Sequence, residues 1–285
     1  MKARRFVQLD VFSAAAGQGN PLAVVLDAEG LDTAAMQSIA AWLNLSETTF
    51  VLPPSRGADY RVRIFTPRQE LPFAGHPSVG TAHAVLDSRM ARPRDGGLLQ
   101  ECGAGLLPVR IEGEGGGRRI HVRSPRGVER GADPALVVAS LAGVRAGALA
   151  PALVDNGPRW WCVELADEAS VRTMVPDLPA IANASLATGA VGLAVFSHCV
   201  GEPYALVVRA FVPADGIPED PVTGSANAAI AALLHAKGRL PARSYWASQG
   251  REMGRDGAVE VAVDADGEAW IGGQTQTVVE GVIRW

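Results

Sequence analysis

Phe65-Thr-Pro67-Arg-Gln-Glu-Leu-Pro72-Phe-Ala-Gly75-His76-Pro77-Ser-Val-Gly80-Thr81-Ala82 decides how this chain is read, because its pattern returns as Phe211-Val-Pro213-Ala-Asp-Gly-Ile-Pro218-Glu-Asp220-Pro221-Val-Thr-Gly224-Ser225-Ala226. The phenylalanine and the two prolines recur 146 positions on, at 65/211, 67/213 and 72/218. The His/Asp-Pro pair, the glycine and the alanine recur 144 positions on, at 76/220, 80/224 and 82/226. Two residues have dropped out and the frame otherwise holds. A half-chain repeat of this kind predicts two half-domains, each building the same loop-to-helix device. One copy carries a histidine where the other carries an aspartate.

The pattern continues weakly outward. Gly19-Asn20-Pro21 has an echo in Asn156-Gly157-Pro158, and Gln100 to Gly105 has one in Gln249 to Gly254. Short Val/Ile/Leu-rich runs at 7–12, 23–26, 48–52, 60–65 and 107–111 read as strands. Between the second and third, Asp32 caps a helix whose Met36, Ile39, Ala40 and Leu43 share one face. A helix is expected from His76-Pro77, with proline at an early position, and another over 225–235 with Gly238 as its stop. The second is nearly all alanine, isoleucine and leucine, so it should be buried on every side. The same grammar returns in the second half with strands at 120–122, 160–165, 190–196 and 204–211 and a helix near 177–182. An α+β fold of two pseudo-symmetric lobes follows, each with a helix wrapped by strands. Gly113 to Arg119 is either the crossing between halves or a hairpin turn. Taken as the crossing, it gives residues 1–117 with about 275–285 as one lobe and 118–274 as the other, the apolar end 278–285 returning to the first sheet.

The chain has 285 residues, 48% hydrophobic and 20% charged, with a net charge of −4. That is ordinary for a globular enzyme acting on small molecules. Without a Lys/Arg block there is no basis for phosphate-driven nucleic-acid binding, and no apolar run reaches the roughly 20 residues that span a bilayer. Asp10 and Gln8 interrupt the apolar start, which reads as an opening strand and not a signal peptide. Cys102, Cys162 and Cys199 are odd in number and scattered, suggesting neither a disulfide framework nor a zinc site but reduced thiols in a cytoplasmic protein.

Glycine at a helix start lets a ligand approach, and the free N–H groups of the first turn attract an anion. Gly75 to Thr81 and Gly224 to Ala226 are two such starts, so a carboxylate-bearing substrate is expected. His76 and Asp220, matched in the repeat, make an asymmetric acid/base environment. Each also has an ordinary role open to it, Asp220 as a helix cap and His76 as partner to a local carbonyl. Glu47, at a helix-to-strand junction, is the other candidate for proton transfer. Composition alone favours an exposed turn glutamate there. His83, His121, His198 and His235 read as packing or surface residues.

Asn20-Pro21, Ser46-Glu47-Thr48, the run 65–82 and the run 216–226 together resemble the phenazine-biosynthesis PhzF family over essentially the whole chain. That resemblance implies the diaminopimelate epimerase-like fold, in which each lobe is a β-barrel-like sheet around a central α-helix and the active site lies in the cleft. It implies cofactor-free isomerisation in which a glutamate moves a proton between carbons of a cyclic amino acid, and it suggests a homodimer. Carried over, the glutamate is Glu47, assisted by His76 and Asp220, with Ser46, Gly75, Gly80, Gly224 and Ser225 near the substrate. Ser78-Val79 and Val222 depart from the commonest motif at positions without chemistry. The related epimerases place paired cysteines at the matched helix starts, where this chain has His76 and Asp220, which disfavours two-thiolate racemisation. An epimerase with two opposed bases and a non-catalytic metabolite-binding homologue are the alternatives.

Overall fold

The computed structural model describes residues 1–55, 57–141 and 143–285. The chain forms two compact units, Met1–Arg123 with Gly272–Trp285 and Ser124–Ile271. The first contains β1 (Ala3–Val11), β2 (Asn20–Val25), α1 (Thr33–Leu43), β3 (Glu47–Leu52), β4 (Tyr60–Phe65), β5 (Glu70–Leu71), α2 (Gly75–Asp87), β6 (Gly97–Cys102), β7 (Gly105–Glu112) and β8 (Arg119–Arg123). The second contains β9 (Val128–Arg130), α3 (Ala135–Val138), β10 (Ala152–Asp155), β11 (Arg159–Glu164), α4 (Glu168–Arg172), α5 (Leu178–Thr188), β12 (Gly192–His198), β13 (Leu206–Val212), β14 (Ile217–Asp220), α6 (Gly224–Ala236), β15 (Ser244–Gln249) and β16 (Gly257–Val263). In β17 (Ala269–Gly273) the chain passes back to the first unit, which β18 (Thr275–Arg284) completes against β1.

The duplication is written in the ladders. In the first unit β1–β2 is antiparallel, β2–β3 parallel, β3–β4 antiparallel, β4–β6 parallel and β6–β7 antiparallel, with β5 folded back on β4. The second unit repeats this order of signs as β10–β11, β11–β12, β12–β13, β13–β15 and β15–β16, with β14 folded back on β13. The repeated phenylalanines occupy matched sites, Phe65 opposite Thr48 and Phe211 opposite Leu193.

Each unit is organised around one buried helix. Helix α2 is buried from His76 to Val85 and packs on β1, β2, β3, β4, β8 and β18. Helix α6 packs on β9, β10, β11, β12 and β16, buried along most of its length until its end emerges at His235. Helix α1 forms where the pattern put it: Asp32 accepts from the Ala35 N–H, Asn44 ends the helix in the left-handed region, and Met36, Ile39 and Ala40 face Phe50 and Phe65.

One open reading is decided, and two element starts shift by one residue. Gly113 to Arg119 is a hairpin connection, because Glu112 pairs with Arg119 and β8 continues the first unit's sheet. The first unit accordingly runs on through β8 to Arg123. Helix α2 begins at Gly75, one residue before His76, and β3 already begins at Glu47.

Gly80 lies inside α2, facing β1 and β2. A Cβ there would stand 2.5 Å from Leu22 Cδ2 and 2.8 Å from Val11 Cγ2. Close packing of helix on sheet is what requires glycine at this position. Gly80→Ala is expected to lower stability by about 1–3 kcal/mol through overpacking, seen as a lower urea midpoint at unchanged slope.

Candidate active site

In the first unit the candidate pair is Glu47 and His76. Glu47 opens β3, directly after the short turn that leaves α1, and is opposite Leu22 of β2. Its side chain is 17% exposed, so it is not the exposed turn glutamate that composition favours. Its Oε2 lies 3.4 Å from His76 Nε2. His76, the second residue of α2, is buried. The geometry is held from behind: Thr81 Oγ1 of α2 donates to Thr49 Oγ1 of β3 at 2.8 Å, and Thr49 donates on to the Ala23 carbonyl of β2 at 3.4 Å. Helix, strand and neighbouring strand are thus tied one turn below the pair.

Burial pushes the His76 imidazole down to about 3. Desolvation disfavours the charged ring, and the nearby carboxylate does not reverse that direction. At neutral pH the contact is therefore a neutral imidazole beside a carboxylate and not an ion pair. Ser46 and Gly75 flank the pair in sequence, both half-buried, with Gly75 as the first residue of α2. The N-cap residue Ala74 offers no capping side chain.

In the second unit the matched residue Asp220 ends β14 and is buried. Its Oδ2 accepts a 2.5 Å hydrogen bond from the Thr223 hydroxyl. Thr223 is the N-cap of α6, but its side chain makes no capping bond and is directed to Asp220 instead. Gly224 is the first residue of α6 and is buried. Ser225 Oγ accepts from the Trp160 indole at 3.1 Å, and the Ser225 carbonyl accepts from Asn156 Nδ2 at 2.9 Å. Trp160, Asn156, Thr223 and Gln249 support this region without having been singled out for chemistry. The echo of Asn20-Pro21 at Asn156 and of Gln100 at Gln249 was the available signal.

Residues 9–281 match the PhzC-PhzF family, described as phenazine biosynthesis-like protein. The chain belongs to the PhzC-PhzF family. It is 34% identical to antisense-enhancing sequence 1 of Schizosaccharomyces pombe, covering 99% of each chain. It is 35% identical to the trans-2,3-dihydro-3-hydroxyanthranilate isomerase of Pseudomonas aeruginosa, covering 93% of this chain and 92% of that protein. Among solved structures, a PhzF-family phenazine biosynthesis protein of Bacillus anthracis superposes with a TM-score of 0.86 at 26% identity, covering both chains completely. A probable proline racemase of Agrobacterium radiobacter shares the fold alone, with a TM-score of 0.68 at 14% identity over 99% of this chain and 93% of that one. With several relatives named isomerase, this PhzC-PhzF member is an isomerase.

The thiols of this PhzC-PhzF chain are poorly suited to racemase-type chemistry. Burial raises all three, Cys199 to about 12 with help from the Glu168 carboxylate, so thiolate is scarce at neutral pH. Among the described residues no group of three or more His, Cys, Asp or Glu is placed to hold a metal ion.

The depressed His76 value fixes a pH dependence. Its folded-state value lies below the unfolded one near 6.5, so neutral His76 supports the fold above about pH 6.5. That support is lost as pH falls toward about 3. The His76 ring carbons should show no protonation shift by NMR between pH 8 and 5; a midpoint above 5 contradicts the assignment. In His76→Asn the acid limb of the stability curve should flatten.

Proposed function

We propose that this protein moves a proton between two carbons of a small, carboxylate-bearing, cyclic amino acid-like substrate without a cofactor, and that Glu47 carries the proton. The observation that carries this reading is the half-buried Glu47 carboxylate against the buried, neutral His76 at the start of α2. The neutral ring places no positive charge beside the Glu47 carboxylate. The first turn of α2 presents main-chain N–H groups that suit a substrate carboxylate, and Ala74 leaves them without side-chain competition. The relative named trans-2,3-dihydro-3-hydroxyanthranilate isomerase supports a ring amino acid as substrate.

The step balances with protein groups alone. Glu47 takes a proton from an activated carbon as that C–H bond breaks, and the electron pair shifts through the adjacent double bond. Glu47 then returns the proton to the distal carbon, forming the new C–H bond. The neutral imidazole keeps an N–H available to the carboxylate in one tautomer and costs no compensating charge. Ser46 and Gly75, beside the pair, serve substrate binding in this reading.

Glu47→Gln is expected to lower turnover of trans-2,3-dihydro-3-hydroxyanthranilate by at least about 10²–10⁴-fold, with the thermal midpoint and carboxylate binding nearly intact. Turnover at the wild-type rate in that variant sinks the assignment. In deuterated water, label should enter the product at the carbon that gains the proton unless the carboxylate passes it on before exchange. A chiral assay of ring amino acids separates the proton shift from epimerisation, because only the latter equilibrates configurations at one carbon.

A further inference from the structure

Gln249, the last residue of β15, has no solvent exposure and binds four groups with its amide. Its Oε1 accepts from the Thr223 main-chain N–H at 3.0 Å and from Asn227 Nδ2 at 3.1 Å. Its Nε2 donates to the Asp220 carbonyl at 3.0 Å and to Thr223 Oγ1 at 2.9 Å. Two of these partners have no choice of role. A main-chain N–H can only donate and a main-chain carbonyl can only accept. The amide therefore cannot be turned over, because doing so would face donor to donor at Thr223 and acceptor to acceptor at Asp220.

The consequence runs one atom further. With Gln249 Nε2 donating to Thr223 Oγ1, the hydroxyl proton of Thr223 has to point elsewhere. It points at Asp220 Oδ2, 2.5 Å away. That oxygen always receives a hydrogen bond and is not the one that carries a proton. A hydrogen bond to the charged form of a carboxylate favours that form. Glu219, adjacent in β14, spends both oxygens on Arg209 at 2.9 and 2.8 Å. In the first unit the buried glutamine has other partners. Gln100, equally buried, donates to Ser78 Oγ and accepts from Tyr60, both at 3.0 Å.

We propose that Gln249 and Thr223 are positioning residues that set the hydrogen-bond polarity at Asp220, so that this side chain enters the reaction as an ionised acceptor. The part concerning the reaction rests on the function proposed above; the polarity itself does not.

The test separates the two. Asp220 is titrated by carboxyl ¹³C NMR, its resonance assigned by its loss in Asp220→Asn. Thr223→Val keeps the shape and removes the hydroxyl, and should raise the Asp220 midpoint by about one to two pH units, while Thr223→Ser restores it. If Thr223→Val does not fold by circular dichroism, Thr223→Ala removes the same hydroxyl and is read in its place. An unchanged midpoint in the folded hydroxyl-free variant overturns the proposed polarity. With trans-2,3-dihydro-3-hydroxyanthranilate, the acid limb of the kcat/KM profile should move upward by the same amount in that variant and return with Thr223→Ser. A midpoint that moves while the profile does not overturns the catalytic half of the proposal. A wild-type enzyme with no turnover of that compound counts against the proposed function and leaves the titration result standing.

Discussion

Burying the first turn of a helix is the constraint from which the rest of this structure follows. The leading N–H groups of a helix have no partner within it, and water normally supplies one. Here two helices are driven into the interior of their units, α2 buried from His76 and α6 buried from its first residue. Their opening turns consequently become places where side chains, main chain or ligand must satisfy polar groups. The small residues along both helices allow it: Gly80 brings α2 against Leu22 and Val11, and α6 is mostly alanine where it meets the strands. The same closeness brings His76 onto Glu47 and places Asp220, Thr223 and Gln249 in one buried network.

The two copies meet this constraint differently. At the start of α2 the titratable residue is inside the helix, buried and uncharged, and the neighbouring carboxylate comes from another strand. At the start of α6 the titratable residue lies before the helix, on β14, wired through a hydroxyl to a buried amide. One start is built around a neutral ring and the other around an accepting carboxylate. The loss of two residues between the repeated prolines and the His/Asp-Pro step accompanies that difference, since β5 ends at Leu71, five residues before His76, whereas β14 runs to Asp220 itself.

What could be read in advance was whatever left a periodic or duplicated trace. Helix α1 was legible because Asp32 and the Met36, Ile39, Ala40 face are local signals. The two central helices were legible because a stretch rich in small and apolar residues after a glycine has few other readings. Strands β6, β15 and β16 were not, since Gly97–Cys102 alternates weakly and Ser244–Gln249 is half polar. Their polar residues are satisfied only across the fold, as Gln100 and Gln249 show. Glu47 was a candidate from its helix-to-strand junction, but composition favoured an exposed turn and only the resemblance gave it the leading role. Nothing local distinguishes a surface glutamate from one whose strand is held against a buried helix by Thr49 and Thr81. Crossing and hairpin both stayed open at Gly115 to Gly117, because three consecutive glycines mark a break in pattern without saying whether the chain turns back or moves on.

The proposed proton carrier, Glu47, lies outside the repeated motif, and the ladders give a physical reason why it has no twin. Phe65 pairs with Thr48 and Phe211 with Leu193, so the residues one step earlier, Glu47 and Gly192, hold equivalent sites. At Gly192 a Cβ would lie 2.1 Å from the Phe211 carbonyl oxygen and 3.1 Å from the Trp160 ring. Main chain cannot move aside as a side-chain tip can, so no residue larger than glycine fits without parting β12 from β13. The ring that closes this space is also the one whose indole N–H holds Ser225. In the second unit the strand start is thus given over to orienting the beginning of α6, and in the first it carries an acid/base group. The two copies therefore do not offer two equivalent bases at matched strand starts, in keeping with the proposed movement of one proton from carbon to carbon.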